Sequence, residues 1–422
     1  MTKRRFPIRN RTTARTRKLK EAIVASFSQQ SEEAVRGLFG FREADWQSVL
    51  WWLDISGMAI YFLDRAQQVG ADSIMPSKLK EELAERLQQN RFRIQALTEE
   101  ARTVTQCFDS ETIPYALLKG ITLAPESVTD AALRSQADLD FLVSSDQSAL
   151  AIRTIQRLGY RLHLISGITM EFTAGDIGLP DLSKIYSATA PRALDLHVLP
   201  EGSSKMALLT RRTTRVFDGA RIATLAPADI LMQQALHLLK HLCSDRSRLS
   251  WVLEFRRHTE ARRFDRPFWS QVEILANEEM NGNLALSTAF WLAAEFFGEP
   301  PMELPRQWAA EAIPPLIRLW LGLYARNLFL ADSIGNKLYL LLRGEIPCKV
   351  GPLKKTHLIL FPRCLPARIT HARAGEGFAE RLRRYSVEAE FFFSRMQFHV
   401  VEGIRYGIEA SRWRRASVRY GR

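Results

Sequence analysis

Cysteine is scarce in this 422-residue sequence, which contains only four and has none of them in a CxxC pair. They lie far apart, at Cys107, Cys243, Cys348 and Cys364. A structural zinc site needs closely spaced ligands, and a small secreted domain needs a dense disulfide framework, so the spacing disfavours both. Reduced thiols in a cytoplasmic protein are expected instead.

Long apolar runs are also lacking. The basic N-terminus leads into no apolar region of the kind that a secretory signal contains. The nearest approach to a membrane span, residues 49–63, is shorter than the about 18 apolar residues that a spanning helix needs and is interrupted by Asp54. These residues predict one buried helix, and no transmembrane segment is expected.

Acidic residues are missing from the first twenty positions, which hold nine Lys or Arg. A second basic stretch, residues 395–422, contains seven Arg and two Glu. These two ends account for the net charge of +13, so the rest of the chain is balanced. One hypothesis is that the basic ends bind nucleic acid or an anionic membrane surface, which would make the cytoplasmic protein peripheral to a membrane. The alternative is a solvated tail.

Two kinds of apolar pattern divide the chain. Leu79, Leu83 and Leu87 begin a helical spacing that continues to Val104, whereas short apolar runs alternate with helix-like stretches between residues 113 and 225. The expected organisation is a basic disordered arm (1–20), a helical N-terminal region (21–108), an α/β core (109–226), a helical domain (227–334) and a basic, partly helical C-terminal region (335–422).

Asp138 and Asp140 are the first candidates for chemistry. They lie in the strand-like run Asp-Leu-Asp-Phe-Leu-Val, so both side chains point to one face of a strand. Two neighbouring carboxylates raise each other's pKa unless a cation lies between them. A hard divalent cation such as Mg²⁺ would relieve this repulsion and bridge triphosphate oxygens. A solvated turn is the alternative for this common motif.

Further polar residues surround the pair in the sequence. Asp195, in a second strand-like run, is a candidate third carboxylate for nucleotidyl transfer, and an outward-facing Asp is its alternative. His197 would orient Asp195 or contact phosphate, or would be an ordinary strand histidine. Lys119 and Gly120 precede an expected helix whose start would suit phosphate, and Arg134 would neutralise triphosphate charge or pair with an aspartate.

Taken in order, the segments LLKGITLA, RSQADLDFLV, LGYR and ALDLHVL, with the downstream APADILMQQALHLLKH and RLSWVLEF, resemble an uncharacterised bacterial nucleotidyltransferase family of the polymerase-beta-type superfamily. The resemblance implies an α+β fold, namely a polymerase-beta-like nucleotidyltransferase core with a mixed sheet, flanked by mainly helical N- and C-terminal regions. It also implies Mg²⁺ or Mn²⁺, a nucleoside triphosphate donor, and metal-binding, catalytic roles for Asp138, Asp140 and Asp195. Lys119, Gly120 and Arg134 match other recurrent positions of the family.

The resemblance departs from the wider superfamily at two points. Gly120 is followed by Ile121 and Thr122 instead of the usual serine, so Thr122 is the candidate hydroxyl for the nucleotide, and position 254 is Glu where Asp is expected. The leading hypothesis is transfer of a nucleoside monophosphate group to an unidentified acceptor. The alternatives are a noncatalytic protein that binds nucleic acid, and an accessory protein in peptide or polysaccharide biosynthesis.

His237 and His241 form a last candidate pair. Their spacing places both on one helical face, where they could chelate a metal. Glu does not follow His237, which excludes the HExxH site of metalloproteases. Packing or polar contact with the α/β core is the preferred interpretation.

Overall fold

The amphipathic N-terminal segment forms five helices in the computed structural model. The structure describes residues 13–28, 30–175, 185–188, 192–203, 205–244, 246–300, 303, 305–333, 335–346 and 377–420. The five helices are α1 (Ala14–Ala25), α2 (Ser31–Leu38), α3 (Glu43–Ser56), α4 (Ala59–Val69) and α5 (Ser77–Ser110). Of the leucines that begin the helical spacing, Leu79 and Leu83 are buried along α5 and Leu87 is half-buried.

The basic segment expected as a disordered arm lies partly outside the described residues, which begin at 13. Residues 14–20 belong to α1. Leu19 and Lys20 are fully buried there. The Lys20 ammonium donates to the carbonyl oxygen of Leu330 at 2.9 Å and to a carboxylate oxygen of Asp332 at 2.5 Å. One basic residue of this segment is therefore an internal anchor for α1.

The apolar run 49–63 forms two helices, so the expectation of a single buried helix is wrong. Gly57 ends α3 with a φ of 74°, and α4 begins two residues later. A Cβ at this position would lie 2.5 Å from Ser250 Oγ. Glycine is required here for both reasons, because it adopts positive φ and leaves room for the neighbouring helix.

A single seven-stranded mixed sheet follows. Its elements are β1 (Tyr115–Leu118), β2 (Asp138–Ser144), helix α6 (Ser145–Arg157), β3 (Arg161–Ser166), β4 (Thr169–Ala174), β5 (Arg192–Leu199), β6 (Thr213–Phe217) and β7 (Ala220–Thr224). The strand order is β3-β4-β5-β2-β1-β7-β6. The pairs β2–β5 and β1–β7 are parallel, and the other four pairs are antiparallel. The expected α+β fold, with a mixed sheet and helical flanks, is confirmed.

Three glycines in residues 167–178 predict a loop from the sequence alone, but strand β4 forms there. Gly167, with a φ of 60°, instead makes the turn between β3 and β4. β4 pairs with β3 on one side and with β5 on the other. Hydrogen bonding to two neighbouring strands stabilises β4, although its local preference for a strand is weak. Strand β6 was likewise not expected, and residues 176–178 lie outside the described residues.

Helices return after the sheet. A short helix, α7 (Met206–Thr210), lies between β5 and β6, and after β7 come α8 (Pro227–Leu242), α9 (Leu249–Ala261), α10 (Arg266–Glu278), α11 (Gly282–Phe297), α12 (Pro315–Trp320), α13 (Arg326–Phe329), α14 (Tyr339–Arg343) and α15 (Phe378–Tyr420). Within the described part of the chain, none of the helices combines the length and apolar character needed to cross a membrane.

Alternation along β2 separates an apolar face from a carboxylate face. Leu139, Phe141 and Val143 are fully buried in a core that the sheet shares with α5 and α6. Phe141 packs edge-on against Phe108 of α5, with ring centroids 5.5 Å apart. Leu142, on the other face, joins the core of the helical regions. The two aspartates of β2 therefore face the helical regions that surround the sheet.

Candidate active site

The register of two parallel strands brings three carboxylates together. Asp140 of β2 lies directly opposite Asp195 of β5, and Asp138 lies one alternate position before Asp140. Residues directly opposite each other in neighbouring strands, and residues two apart in one strand, share a face of the sheet. Glu171 of β4 is paired with Asp195 on its other side, so it continues the same acidic row.

Asp140 is at the centre of the site and is buried, with 4% of its surface exposed. Its Oδ1 atom accepts hydrogen bonds from His197 Nε2 at 2.9 Å and from the Lys119 ammonium at 3.0 Å. Burial alone would raise the pKa of Asp140, but the hydrogen bond from His197 and the charge of Lys119 outweigh it and lower that pKa. The central carboxylate is therefore ionised.

The two flanking carboxylates behave in the opposite way. Burial, followed by the charge of Asp140, raises the pKa of Asp138. Burial, followed by the charges of Asp138 and Asp140, raises the pKa of Asp195 to about 7. Burial and the like charges on one face together raise these pKa values, because a buried charge is poorly solvated and each ionised carboxylate disfavours the ionisation of its neighbours. A cation bound among them would relieve this repulsion.

The side chains present fit a divalent metal ion. Asp140, Asp195 and His197 each offer one ligand atom, and these three atoms lie within 4.8 Å of one another. Carboxylate oxygens suit Mg²⁺ and Mn²⁺, and an imidazole nitrogen adds affinity for transition metals. Asp138 extends this set from the same face of β2. Sequence reasoning placed His197 near the nucleotide, whereas the geometry places it among the potential metal ligands.

Lys119 and Gly120 lie where β1 ends, beside the carboxylates. Gly120 is buried, with a φ of 54°, and begins a four-residue 3₁₀ helix (Gly120–Leu123) instead of the expected longer helix. A Cβ on Gly120 would lie 2.1 Å from the Gln136 amide nitrogen, which itself donates to the Asp138 carbonyl at 2.6 Å. Gly120 therefore makes room for the amide that holds the start of β2.

The hydroxyl of Thr122, which the sequence suggested for the nucleotide, is used within this turn. Thr122 is 1% exposed, and its Oγ1 atom donates to the Lys119 carbonyl at 2.7 Å. This bond ties the turn to the residue that carries the ammonium group at Asp140. In this conformation Thr122 supports the backbone of Lys119 and does not face the carboxylates with a free hydroxyl.

Arg134 is held by the helical region. Its Nε atom donates to both carboxylate oxygens of Glu254, each at 3.2 Å. Glu254, on α9, also accepts a hydrogen bond from the Tyr61 hydroxyl of α4 at 3.1 Å. The structure thus pairs Arg134 with a carboxylate outside the aspartate cluster. Sequence reasoning noted Glu254 only as an unusual residue and missed Tyr61, since nothing local links positions that are so distant along the chain.

A model of the family described as uncharacterised nucleotidyltransferase matches residues 42–298, more than half of the chain. The chain belongs to this nucleotidyltransferase family. A solved structure, titled an antigenic nucleotidyltransferase-like protein from Paracoccidioides brasiliensis, is similar at 14% identity, covering 47% of this chain and 97% of that chain with a TM-score of 0.28. Among curated proteins, none is similar enough to match.

The segment matched by the nucleotidyltransferase model begins and ends at helix boundaries. Arg42 is the N-terminal cap of α3, and Gly298 is the C-terminal cap of α11. The match therefore contains the whole sheet, the three carboxylates and the helix that supplies Glu254. Helices α1, α2 and α12–α15 lie outside it.

Within the same nucleotidyltransferase segment, His237 and His241 pack against Trp251 of α9. Their rings lie 4.5 and 4.7 Å from the tryptophan ring, centroid to centroid, and 4.3 Å from each other. Burial and then the charge of its neighbour lower the pKa of His237 to about 2, so this histidine is neutral. Among the described residues no third side chain joins the pair as a potential metal ligand. The contacts are those of a packed helix pair.

Proposed function

We propose that the chain is a metal-dependent nucleotidyltransferase that moves a nucleoside monophosphate group from a triphosphate to an acceptor hydroxyl. The observation that carries the proposal is the register of β2 and β5, which places Asp140 directly opposite Asp195 with Asp138 on the same face. Membership of the nucleotidyltransferase family supports the reaction class. The proposal includes a nucleoside triphosphate as the donor, Mg²⁺ or Mn²⁺ as the physiological ion, and a cytoplasmic location.

The residues divide the work by position. Asp138, Asp140 and Asp195 would hold the divalent ion, which, when bound, polarises the phosphoryl oxygens and neutralises their charge. The side chain of Lys119 is 41% exposed, so its ammonium group can move away from Asp140. It would then stabilise the negative charge that develops on the leaving pyrophosphate. Asp195, which is less buried than Asp140, would complete the metal site or accept the proton of the acceptor hydroxyl.

The experiment pairs a binding assay with a turnover assay. Purified full-length protein is titrated with nucleoside triphosphate in the presence and absence of Mg²⁺ or Mn²⁺, and pyrophosphate release is followed with mixed acceptors. Loss of the carboxylate in Asp138→Asn or Asp195→Asn removes several kcal/mol of charge stabilisation, so release should fall about a hundredfold or more.

Asp146→Asn is the matched control, because Asp146 is an exposed carboxylate at the start of α6, away from the cluster. It should leave both binding and release unchanged. Tight triphosphate binding that is indifferent to metal and to Asp138→Asn would sink the proposal. In that case the carboxylates would not be the site at which the nucleotide is processed.

A further inference from the structure

His197 lies next to the acidic row, on the same face of the sheet. It follows Asp195 by two residues on β5, so the two side chains share one face of the sheet. Its Nε2 atom is 2.9 Å from Asp140 Oδ1, and it belongs to the group of three ligand atoms that lie within 4.8 Å of one another. An imidazole nitrogen therefore lies within reach of a cation that Asp140 and Asp195 would share.

The other ring nitrogen of His197 is fixed by a neighbouring strand. Thr169 of β4 is paired with His197 in the register, and its Oγ1 atom lies 2.9 Å from His197 Nδ1. Without a metal, Nε2 carries a proton that it donates to Asp140; with a metal bound at Nε2, the ring proton would lie on Nδ1 and be donated to this hydroxyl, and Nε2 would use its lone pair for the metal. Metal-binding histidines are held in this way, with the non-coordinating nitrogen donating to an oxygen that fixes the ring and its tautomer.

We propose that His197 is a metal ligand and that the site, formed by Asp140, Asp195 and His197, prefers a divalent transition metal such as Mn²⁺ over Mg²⁺. Mg²⁺ favours oxygen ligands in a strict octahedron, whereas an imidazole suits the first-row transition metals. The inference rests on the site of the proposed function, but it concerns the choice of ion and not turnover.

Lys119 makes the inference sharper, because it competes for the same oxygen. Its ammonium lies 3.0 Å from Asp140 Oδ1, the atom that His197 also contacts. An ammonium and a divalent ion repel each other at this distance, so metal binding must displace Lys119. The side chain is 41% exposed and can turn towards solvent. Removing the amine should therefore tighten metal binding, whereas removing the imidazole should weaken it.

The test is direct metal binding by the full chain without nucleotide. Free Mn²⁺ is counted by electron paramagnetic resonance during a titration, and Mg²⁺ is added as a competitor. Wild-type protein should bind Mn²⁺ at least about tenfold more tightly than Mg²⁺. In His197→Gln an oxygen donor replaces nitrogen, so Mn²⁺ affinity should fall about tenfold or more and the preference over Mg²⁺ should shrink.

Electron spin echo modulation of bound Mn²⁺ supplies a second readout. The ¹⁴N coupling of a coordinated imidazole should be present in the wild type and absent in His197→Gln. His163→Gln is the matched control, because His163 is exposed on β3 and is not among the clustered ligands. It should keep both the coupling and the preference. Lys119→Met should bind Mn²⁺ several-fold more tightly than the wild type.

If His197→Gln does not fold, Thr169→Val replaces it. Loss of the hydroxyl that orients the ring should cost about tenfold in Mn²⁺ affinity. Three outcomes would overturn the inference: unchanged Mn²⁺ affinity in His197→Gln or Thr169→Val, absence of ¹⁴N coupling in the wild type, or equal affinity of the wild type for Mn²⁺ and Mg²⁺. Asp140→Asn separates the two proposals. If it abolishes Mn²⁺ binding while pyrophosphate release is absent even from the wild type, the metal site stands and the proposed reaction fails.

Discussion

Replacing Glu254 by glutamine should leave Arg134 buried without its counter-charge. The side chains of Arg134 and Glu254 are 17% and 3% exposed, so water screens this pair poorly. Removing one partner of a buried ion pair costs about 3–5 kcal/mol, because the remaining charge is no longer compensated. Glutamine keeps one oxygen for Arg134 and Tyr61, so we expect a loss near the lower end, about 3 kcal/mol.

The assay is urea unfolding of the full chain, followed by tryptophan fluorescence, for the wild type and three variants. Glu295→Gln is the matched control, because its partner Arg326 lies 3.0 Å away and the two side chains are 45% and 34% exposed. Exposed pairs contribute about 0–1 kcal/mol, so this control should barely shift the midpoint. The double variant Arg134→Met with Glu254→Gln should recover part of the lost stability, since it removes the unpaired charge.

A loss below about 1 kcal/mol in Glu254→Gln, no larger than that expected of an exposed pair, would refute the reasoning. It would mean that Arg134 finds water or another anion when Glu254 is neutral. The same outcome would bear on function, because an Arg134 that moves so readily would be available to phosphate. A large loss of unfolding free energy would indicate that Arg134 holds the segment before β2 against α9.

Two further perturbations test the surroundings of the site. Gly120→Ala should destabilise the fold by about 2 kcal/mol or more, since its Cβ would meet the Gln136 amide at 2.1 Å and its φ is positive. The control Gly40→Ala also has positive φ but has no atom within 4 Å of its Cβ, so it should cost only about 1 kcal/mol. Equal shifts of the melting temperature in the two variants would contradict the argument. Burial lowers the pKa of His258 to about 3, below its ordinary value in the unfolded chain. Its stabilising effect is therefore complete above pH of about 6.5 and declines as the pH falls towards 3, so between about pH 6.5 and 4.5 the wild type should lose about 2–3 kcal/mol more than His258→Gln. Parallel pH profiles of the two proteins in urea titrations would refute that assignment.

Local pattern was enough to predict the carboxylate face but not its surroundings. Alternation places Asp138 and Asp140 on one side of β2 whatever the rest of the fold, because the two-residue period belongs to any strand. Local patterns also indicate an α/β core between helical regions, since helical and strand-like periods occupy separate parts of the chain, whereas the α+β class is implied by the family resemblance. The direct pairing of Asp140 with Asp195, however, depends on the register of two strands, and a shift by one residue would put them on opposite faces.

Sequence reasoning missed Thr169 and did not foresee the internal hydrogen bond of Thr122. Thr169 orients His197 only because β4 forms beside β5, and β4 looked like a glycine-containing loop. Thr122 carries a hydroxyl that suits a nucleotide, but the 3₁₀ turn directs it to the Lys119 carbonyl. In both cases the residue type was visible but its partner was not, because strand pairing sets the partner of Thr169 and a local turn sets that of Thr122.

The helical regions take part in the site as well as supporting it. Arg134 lies four residues before the start of β2, and its charge is paired with Glu254 of α9, which in turn binds Tyr61 of α4. A displacement of α9 from the sheet would break this chain of contacts and leave Arg134 free to pair with another anion. The family match spans α3 to α11 and so includes both ends of the chain of contacts. The smallest unit expected to retain the geometry of the carboxylates therefore contains the sheet, the helices α5 and α6 that cover its apolar face, and α4 and α9, because without α9 Arg134 would lose Glu254 and would be free to pair with the aspartates of the site.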